Sequence, residues 1–584
     1  MSHSPAHDQQ HRPHPTHRLS LLKSPLLKEQ PVTAVATPYD PSQNHSHSYP
    51  EAGTWIPGGV NDGAMHQTPQ FQRHEEATTI ELFYDLFFVA NLTTFTSLHK
   101  INGPSALRSY SGFFCLLWFT WCQVSLFDVR FVADSILERI AKACQFGVMI
   151  GLAVVGPKFD PGNQYYSTFQ TLAIILGFSR FVLSLQYLVV LFHVRKFKKS
   201  KTPMFLLSLL YLIASVIYFC TYFGFKADAS SKSYVYIAWY MIAVIETSLN
   251  IIITSWWKVV SFKGTHLVQR MTLLTLIILG EGIIVICKSI TSIVKNETAS
   301  VAWSAAAIGA VLSAVMIVYF LYMIYFDWYN HQHFGSVRSQ IWAILHFPLH
   351  LTLVLMVEGA SQFIVWRKLI EVLDRLERFF VHAIEIWRDD PSTTFADLQN
   401  SLNDTVTAIF YDFPPTYTQT WIDVDGYLAL VGDMDISVDE TVTAVDDLFL
   451  TVQNSLFDTY GIKTPEGKED AYSVSDPSTT TNKAEDVFQL VFVYFFLCSG
   501  LTLLLMNTLR FLSKRDRSLT DTLRMVFNAV VGLVLCLIAA VVNTNAGHNF
   551  MRSSAVLPTV AVALAVVLFV NHVHRFWGRH AMKG

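Results

Sequence analysis

Charged residues are scarce in this sequence of 584 residues. Asp, Glu, Lys and Arg together make up 15% of it, whereas soluble domains carry about a quarter. Hydrophobic residues account for 52% and aromatic residues for 14% of the chain. This composition does not fit the three or four soluble domains that the length alone would suggest, and it indicates a membrane protein. The formal net charge of −3 averages very unlike regions, and no basic face typical of nucleic-acid binding is present.

Metal-binding and catalytic signatures are also missing. The seven cysteines all fall in apolar segments, and none has a spacing typical of metal ligands, so we interpret them as small buried side chains. HExxH, GxSxG, P-loop and dinucleotide fingerprints do not occur in a plausible context. The sequence therefore predicts no enzyme activity, no cofactor, no metal and no nucleic-acid partner.

Long apolar runs are what the chain has in abundance. A helix needs about 20 mostly apolar residues to cross a bilayer, and these runs are continuous rather than alternating, which favours helices over a barrel. The sequence predicts an all-α, polytopic transmembrane helix bundle of about twelve spans. The spans are centred approximately on residues 80–98, 108–127, 138–156, 166–193, 203–225, 234–257, 268–291, 301–326, 340–366, 487–511, 522–543 and 554–576.

The same pattern divides the chain into five parts. Residues 1–79 lack the apolar core of a cleavable signal and are predicted to form a disordered, His- and Pro-rich cytoplasmic tail. A nine-span core (80–366) is followed by a small acidic extramembrane domain (367–486), three further spans (487–576) and a cytoplasmic tail (577–584). The acidic domain carries 24 Asp or Glu and 8 Lys or Arg, and its amphipathic beginning predicts a helix that continues out of span nine.

Orientation follows from the basic residues in the connections. Seventeen Lys or Arg lie in the even connections and eight in the short odd ones, which places the even connections and both termini in the cytoplasm. The two sequons at Asn296 and Asn403 both fall in odd connections, where glycosylation could occur. The predicted location is the plasma membrane or an endomembrane, with the lipid bilayer as a partner and an oligomer as a possibility.

Several ionisable residues interrupt the apolar spans. Glu81 and Asp85 are one helical turn apart and share a face of span one. In span seven, His266, Arg270 and Glu281 fall within a sector of about 60°, with Arg270 and Glu281 about 17 Å apart along the axis. A carboxylate near the bilayer centre is costly, so a lipid-facing Glu281 is improbable. The alternatives are an ion or proton site, a structural ion pair, or a protonated and hydrogen-bonded acid.

Further polar groups extend this set of candidates. Arg180 and Glu246 could be partners for the acids of spans one and seven, and Asp327 lies at the cytoplasmic end of span eight. His346 and His350 share a face of span nine, but two histidines are too few for a metal site, so a proton relay or structural hydrogen bonds are favoured.

Together these motifs resemble the low temperature requirement protein A (LtrA) family of multi-pass membrane proteins, here as a fungal-type member. The family's E-L-F-F-D-L-x-F-V opening helix is matched at 81–89, and its His, Arg and Gly-Glu positions are matched by His266, Arg270 and Gly280-Glu281. Gln269 stands where the family usually has Glu. The Asp after an aromatic helix and the His-x-Pro helix are also present, at 325–327 and 346–350. The resemblance attaches no secure substrate to the chain.

Two classes of function remain from these observations. The leading hypothesis is a proton- or ion-coupled secondary transporter of an unknown small solute, with Asp85 and Glu281 as proton or cation sites balanced by Arg180 and Arg270. The alternative is a membrane sensor, receptor or assembly protein in which the buried charges fix the packing of the helices. A small solute or ion is a partner only in the first.

Overall fold

The protein is described by a computed structural model that covers most of the chain. The described residues are 20–26, 71, 76–98, 100–226, 233–262, 264–296, 303–328, 336–390, 392–433, 435, 437–462, 477–514 and 517–581. Within them the structure is helical, apart from loops and one isolated antiparallel bridge between Leu26 and Phe71. The predicted all-α helix bundle is therefore confirmed.

Nine long helices form the first part of the bundle. They match the first nine predicted spans in order, and all begin and end within a few residues of the predicted positions except the longest, α9. Their bounds are α1 Thr79–Leu98, α2 Pro104–Phe131, α3 Ile136–Val155, α4 Tyr166–Val194, α5 Lys198–Thr221, α6 Ile237–Trp256, α7 Leu267–Asn296, α8 Ala305–Asp327 and α9 Ser336–Asp389.

The remaining helices build the acidic domain and the end of the bundle. Three shorter helices lie in the acidic segment, and three longer ones, with one short helix between them, follow it. Their bounds are α10 Phe395–Asp412, α11 Thr418–Val431, α12 Val438–Thr459, α13 Pro477–Ser513, α14 Leu519–Ile538, α15 Asn545–Arg552 and α16 Val556–Ala581.

Ten helices of the described chain, α2 to α9 with α13 and α14, are long and apolar enough to cross a membrane by themselves. The last predicted span passes the same test only when α15 and α16 are taken together across an 88° bend. The first, α1, is long enough, but Glu81, Asp85 and Asn91 lower its hydropathy. The multi-pass membrane architecture is established, and the count of twelve spans stays a prediction.

Aromatic side chains pack α1 against α2 and α3. Phe95 stacks on Phe113 of α2 at 4.4 Å between ring centroids, and Phe88 meets Trp121 of the same helix edge-on. Phe87 stacks on Phe146 of α3 at 4.8 Å. Because α7 covers another side of α1, the polar face of α1 is enclosed by protein rather than by lipid.

The acidic domain is built on an extension of α9. As the amphipathic pattern predicts, α9 runs without a break from Ser336 to Asp389, about 80 Å at 1.5 Å per residue. Phe380 packs edge-on against Phe449 of α12, and Trp387 lies 5.4 Å from Phe395 of α10. The small domain therefore lies directly over one end of the bundle.

Parts of the two predicted tails have defined structure. Within the predicted tail 1–79, residues 20–26 and Phe71 contact the bundle. The Ser20 carbonyl accepts a hydrogen bond from the backbone of Ile136, and Phe71 packs on Phe131 at 5.1 Å. The apolar run around Leu21 and Leu22 is too short to change the polar average of residues 1–79, on which the prediction of disorder was based. The predicted tail at 577–584 is likewise helical as far as Ala581, because α16 continues.

Candidate functional site

The first predicted acid, Glu81, forms a buried pair with a histidine of α7. The Nε2 atom of His266 lies 3.1 Å from one carboxylate oxygen of Glu81 and 3.2 Å from the other. The backbone N–H of Thr78, just before the helix, donates to the same carboxylate at 2.7 Å. An acid in the first turn of a helix also benefits from the helix dipole. Position and partner together therefore stabilise Glu81 at this end of the bundle.

One turn further along, Asp85 meets Arg270. Arg270 Nη1 donates to Asp85 Oδ2 at 2.8 Å, and Trp121 Nε1 donates to the other oxygen, Oδ1, at 2.7 Å. Arg270 Nη2 also donates to the Ser125 hydroxyl at 3.2 Å. Both charged side chains are fully buried. The two sequence motifs, far apart in the chain, thus contact each other, and we call Glu81, Asp85, His266 and Arg270 the α1–α7 charged interface.

Gln269 stands beside this interface, where the family pattern has an acid. Its side-chain oxygen accepts a hydrogen bond from the backbone N–H of Ala77 at 3.2 Å. A neutral amide oxygen fills this role without adding a third carboxylate next to Glu81 and Asp85. The departure from the family pattern therefore leaves the contact between α7 and the start of α1 in place.

A third buried ion pair was missed by sequence reasoning. Lys142 of α3 donates to Asp128 near the end of α2, and both side chains are at most 1% exposed. The ammonium group also lies 5.4 Å from the centre of the Tyr84 ring on α1. Among the seventeen basic residues of the even connections, Lys142 was assigned to the connection between spans two and three. Its interior position could have been suspected because α2 and α3 are joined by only four residues.

Glu281 lies further along α7 and has far fewer partners. The hydroxyl of Thr93 on α1 donates to one of its carboxylate oxygens, and the other oxygen has no hydrogen-bond partner among the described residues. The side chain is 3% exposed. Of the flanking glycines, Gly280 faces open space, whereas a Cβ atom at Gly282 would lie 2.9 Å from Val357 of α9. Glu281 is therefore a buried acid without a counter-charge in contact.

Arg180 balances neither Asp85 nor Glu281, and this part of the prediction is wrong. It forms a bidentate pair with Glu246 of α6, with its Nη2 atom 2.6 Å and its Nε atom 3.0 Å from Oε1. The reason is the placement of the helices. Both α4 and α6 pack against α2, and the Thr120 hydroxyl of α2 accepts a hydrogen bond from the Arg180 guanidinium group. Both side chains are 1% exposed, and both carboxylate oxygens of Glu246 accept hydrogen bonds from Arg180.

A second polar network continues from this pair and was not predicted. Tyr211 donates to Gln123 at 2.6 Å and accepts from Asn250 at 2.6 Å. Arg130, which is 4% exposed, donates to the Tyr187 hydroxyl at 2.7 Å. Cross-helix polar bonds of this kind are typical of the interior of membrane bundles, and their sequence signal is only isolated polar residues within apolar helices.

The two histidines of α9 are occupied by protein partners. Trp118 Nε1 donates to His350 Nδ1 at 3.0 Å, and His350 Nε2 lies 2.8 Å from the Thr275 hydroxyl. Because Nδ1 accepts a hydrogen bond, His350 is a neutral imidazole. His346 contacts the Trp342 carbonyl through Nδ1 and the Tyr325 hydroxyl through Nε2, each at 2.8 Å. Each ring nitrogen of the two histidines therefore has a hydrogen-bond partner within the protein, and the choice between a proton relay and structural hydrogen bonds stays a prediction.

The last candidates lie away from the α1–α7 charged interface. Asp327, at the end of α8, is 3.1 Å from His572 of α16. Asn403 is exposed on α10. For Asn296, the last residue of α7, the other sequon residues at 297 and 298 lie outside the described residues.

Comparison with known proteins adds one finding. The family model described as Bacterial low temperature requirement A protein (LtrA) matches residues 76–380, just over half of the chain. The matched segment begins at the start of α1 and ends in the extension of α9, so it contains every charged contact between α1 and α7. Curated proteins and solved structures give no match.

Proposed function

The chain belongs to the low temperature requirement A family of multi-pass membrane proteins, and we propose that it is a proton- or cation-coupled secondary transporter of a small solute. The proposal includes no catalytic step. It places both termini and the even connections in the cytoplasm, in the plasma membrane or an endomembrane, because the basic residues cluster there.

Buried Glu281 is the observation that carries the proposal. An ionisable side chain inside a membrane bundle is expensive, and it is normally paired unless it serves an ion or a proton. Glu281 is 3% exposed, has one hydroxyl partner and keeps one oxygen unused among the described residues. A proton or a small cation on this carboxylate would remove the uncompensated charge. We therefore assign Glu281 as the coupling site.

The α1–α7 charged interface supplies the second element of the mechanism. Arg270, the partner of Asp85, lies eleven residues, or about 17 Å, from Glu281 along α7. Thr275 and His350 bridge α7 and α9 between these two levels. Protonation of the Asp85 carboxylate would weaken its bond to Arg270, and loss of that proton would restore the bond. We propose that this contact opens and closes the predicted cytoplasmic end of the path.

Proton and cation flux through the full-length protein tests the assignment. The protein is reconstituted in liposomes, and flux is followed with an internal pH dye and with cation-selective dyes under an imposed gradient. Glu281→Gln should reduce coupled flux at least tenfold, and Asp85→Asn should slow it. Folding is checked for each variant by its elution profile in detergent.

Two matched controls make the outcome decisive. Glu377→Gln removes an exposed charge on the extension of α9. The double variant Arg180→Met, Glu246→Met removes both members of the buried ion pair between α4 and α6. Both should keep wild-type flux. A folded Glu281→Gln protein with full flux, or wild-type liposomes no more permeable than empty ones, would refute the transporter.

A sensor or assembly protein is the alternative that the acidic domain favours. The domain lies over the end of the bundle and carries a large excess of acids, as a surface for a partner would. Replacing 390–480 with a short linker separates the two functions. A transporter core should keep part of its flux, whereas a sensor should lose its response while the bundle stays folded.

A further inference from the structure

A cavity of about 290 Å³ lies where the acidic domain meets the bundle. It is enclosed by the ends of α1, α7 and α9, with Tyr460 to Ile462, just after α12, as its cover. We call it the domain-facing cavity. Thr96 and Val285 form its inner part, and each is about one turn beyond the Thr93–Glu281 contact. The cavity therefore ends next to the proposed coupling site.

Glu358 is the buried charge of this cavity. The side chain comes from α9 and is 7% exposed. Gln362 donates to its Oε1 atom at 3.2 Å, and Oε2 has no hydrogen-bond partner in the described part of the chain. A buried carboxylate with an unused oxygen in a cavity is a place for a hydrogen-bond donor, and most strongly for a cationic one.

The other lining groups suit a solute with two charges. Trp366 presents an aromatic ring, on which an ammonium group can lie. Lys288 of α7 is exposed at the rim and makes no ion pair with a described residue. Lys100 of α1 also lines the cavity and donates to the Gly461 carbonyl at 3.1 Å. The negative charge is thus deep in the cavity and the positive charges are near its rim.

We propose that the domain-facing cavity binds a small zwitterionic solute, with its ammonium group on Glu358 and its carboxylate toward Lys288. The hydroxyl pair Ser289–Ser361, 2.7 Å apart, offers further hydrogen bonds along the wall between α7 and α9. The assignment names the solute class for the transporter proposed above and rests on it for its role. The binding itself requires no transport and is measured separately.

Protection of an introduced thiol tests the binding. Ser292 lines the cavity and is partly exposed, so Ser292→Cys in full-length protein in nanodiscs gives a reporter for methyl methanethiosulfonate. The wild-type protein corrects for the native cysteines. The probes are unbranched amino acids from glycine to 6-aminohexanoate, with n-alkylamines and carboxylates of the same lengths as single-charge comparisons.

We expect at least one amino acid to slow modification about tenfold at about 10 mM, as a Kd near 1 mM implies. The matching amine should protect less, and the carboxylate should not protect. Glu358→Gln should abolish the protection, Glu358→Asp should keep part of it, and Lys288→Gln should remove the advantage of the amino acid over the amine. Glu377→Gln, outside the cavity, should change nothing.

Three results would overturn this assignment: no amino acid protects, the reagent does not reach the thiol, or Glu358→Gln protects as well as wild type. Failure of the transporter looks different. Protection without flux refutes only transport, whereas flux without protection refutes only this site.

Discussion

At the scale of single residues, the buried acids of the membrane helices fall into two kinds. Asp85, Glu246 and Asp128 each contact a cationic side chain, whereas Glu281 and Glu358 contact only neutral groups within the described structure. Desolvation makes a buried charge costly, and a partner in good geometry offsets that cost. A cationic partner offsets the desolvation cost of the paired acids, whereas the two unpaired ones require a ligand or a proton.

The Asp85–Arg270 pair should show the energetics of a buried ion pair. Arg270→Met alone leaves Asp85 buried without its counter-charge, and we expect a loss of about 3–5 kcal/mol in the free energy of unfolding. Adding Asp85→Leu should recover most of that loss, because both charges are then gone. Unfolding is followed by denaturant titration of the protein in detergent.

The control for this prediction is an exposed pair of the acidic domain. Arg375 lies 3.8 Å from Asp412, and both are partly exposed, so Arg375→Met should change stability by no more than about 0.5 kcal/mol. Equal effects of Arg270→Met and Arg375→Met would contradict the importance of the buried pair.

At the scale of elements, glycines let two helices of the bundle approach closely. Gly500 of α13 faces Gly532 of α14, and a Cβ atom at Gly500 would fall 2.8 Å from the backbone nitrogen of Cys536. Small residues at such crossings allow close backbone packing in membranes. The α13–α14 contact therefore depends on the absence of a side chain at Gly500.

Gly500→Ala should destabilise the protein by about 1–3 kcal/mol, because the backbone of α14 must move to make room. The measurement is the midpoint of unfolding in detergent. Gly309→Ala on α8 is the matched control, since a Cβ atom there meets no atom within 4 Å. A Gly500→Ala protein as stable as Gly309→Ala would show that the two helices are further apart.

Capping boxes begin two of the three helices of the acidic domain, α10 and α12. The Ser437 hydroxyl accepts from the Glu440 backbone, and the Glu440 carboxylate accepts from the Ser437 backbone at 2.9 Å and from its hydroxyl. These hydrogen bonds lower the pKa of Glu440 below its usual 4.5. A lowered pKa in the folded state means that the stabilisation is present at neutral pH and is lost as the pH falls through the folded value.

We therefore expect Ser437→Ala to destabilise α12 by about 1 kcal/mol. Glu440→Gln should speed hydrogen exchange of the α12 amides at pH 7, and the difference from wild type should shrink as the pH falls below 4.5. Thr443→Ala, exposed in the middle of the helix, should have little effect. A difference between Glu440→Gln and wild type that grows in acid would contradict the capping role.

At the scale of the whole molecule, the side on which the acidic domain lies decides the direction of the proposed path. Asn403 is exposed on α10 within this domain, in a sequon. The proposed orientation, with both termini in the cytoplasm, would place the domain and the domain-facing cavity on the opposite side of the membrane.

Glycosylation tests this orientation. In a host that glycosylates, the full-length protein should run faster on a gel after endoglycosidase treatment, and Asn403→Gln should remove one step of that shift. Asn403→Asp, which also lacks the acceptor amide, is the matched control. Access of an external protease to the basic connection at 195–201 of intact cells would contradict the orientation.

The sequence by itself determined the architecture of the molecule. Apolar runs long enough for a bilayer must become helices, since the backbone has no other partners in lipid. The twelve predicted runs matched α1 to α9, α13, α14 and α16 of the structure. The pairing of Asp85 with Arg270 was also within reach, because both motifs place their charges on one face of a helix. The contacts of residues 20–26 with the start of α3 were not predicted, because a short apolar stretch does not change the average composition of the segment around it.

Only the tertiary structure decided which charges meet. Arg180 was an open partner in the sequence, and the packing of α4 and α6 around α2 assigned it to Glu246 rather than to Glu281. Lys142 appeared to be a basic residue of a loop and proved to be buried against Asp128. Periodicity fixes the face of a helix on which a residue lies, but not which helix covers that face. That choice depends on contacts between distant segments, and it left Glu281 and Glu358 without a counter-charge in contact among the described residues.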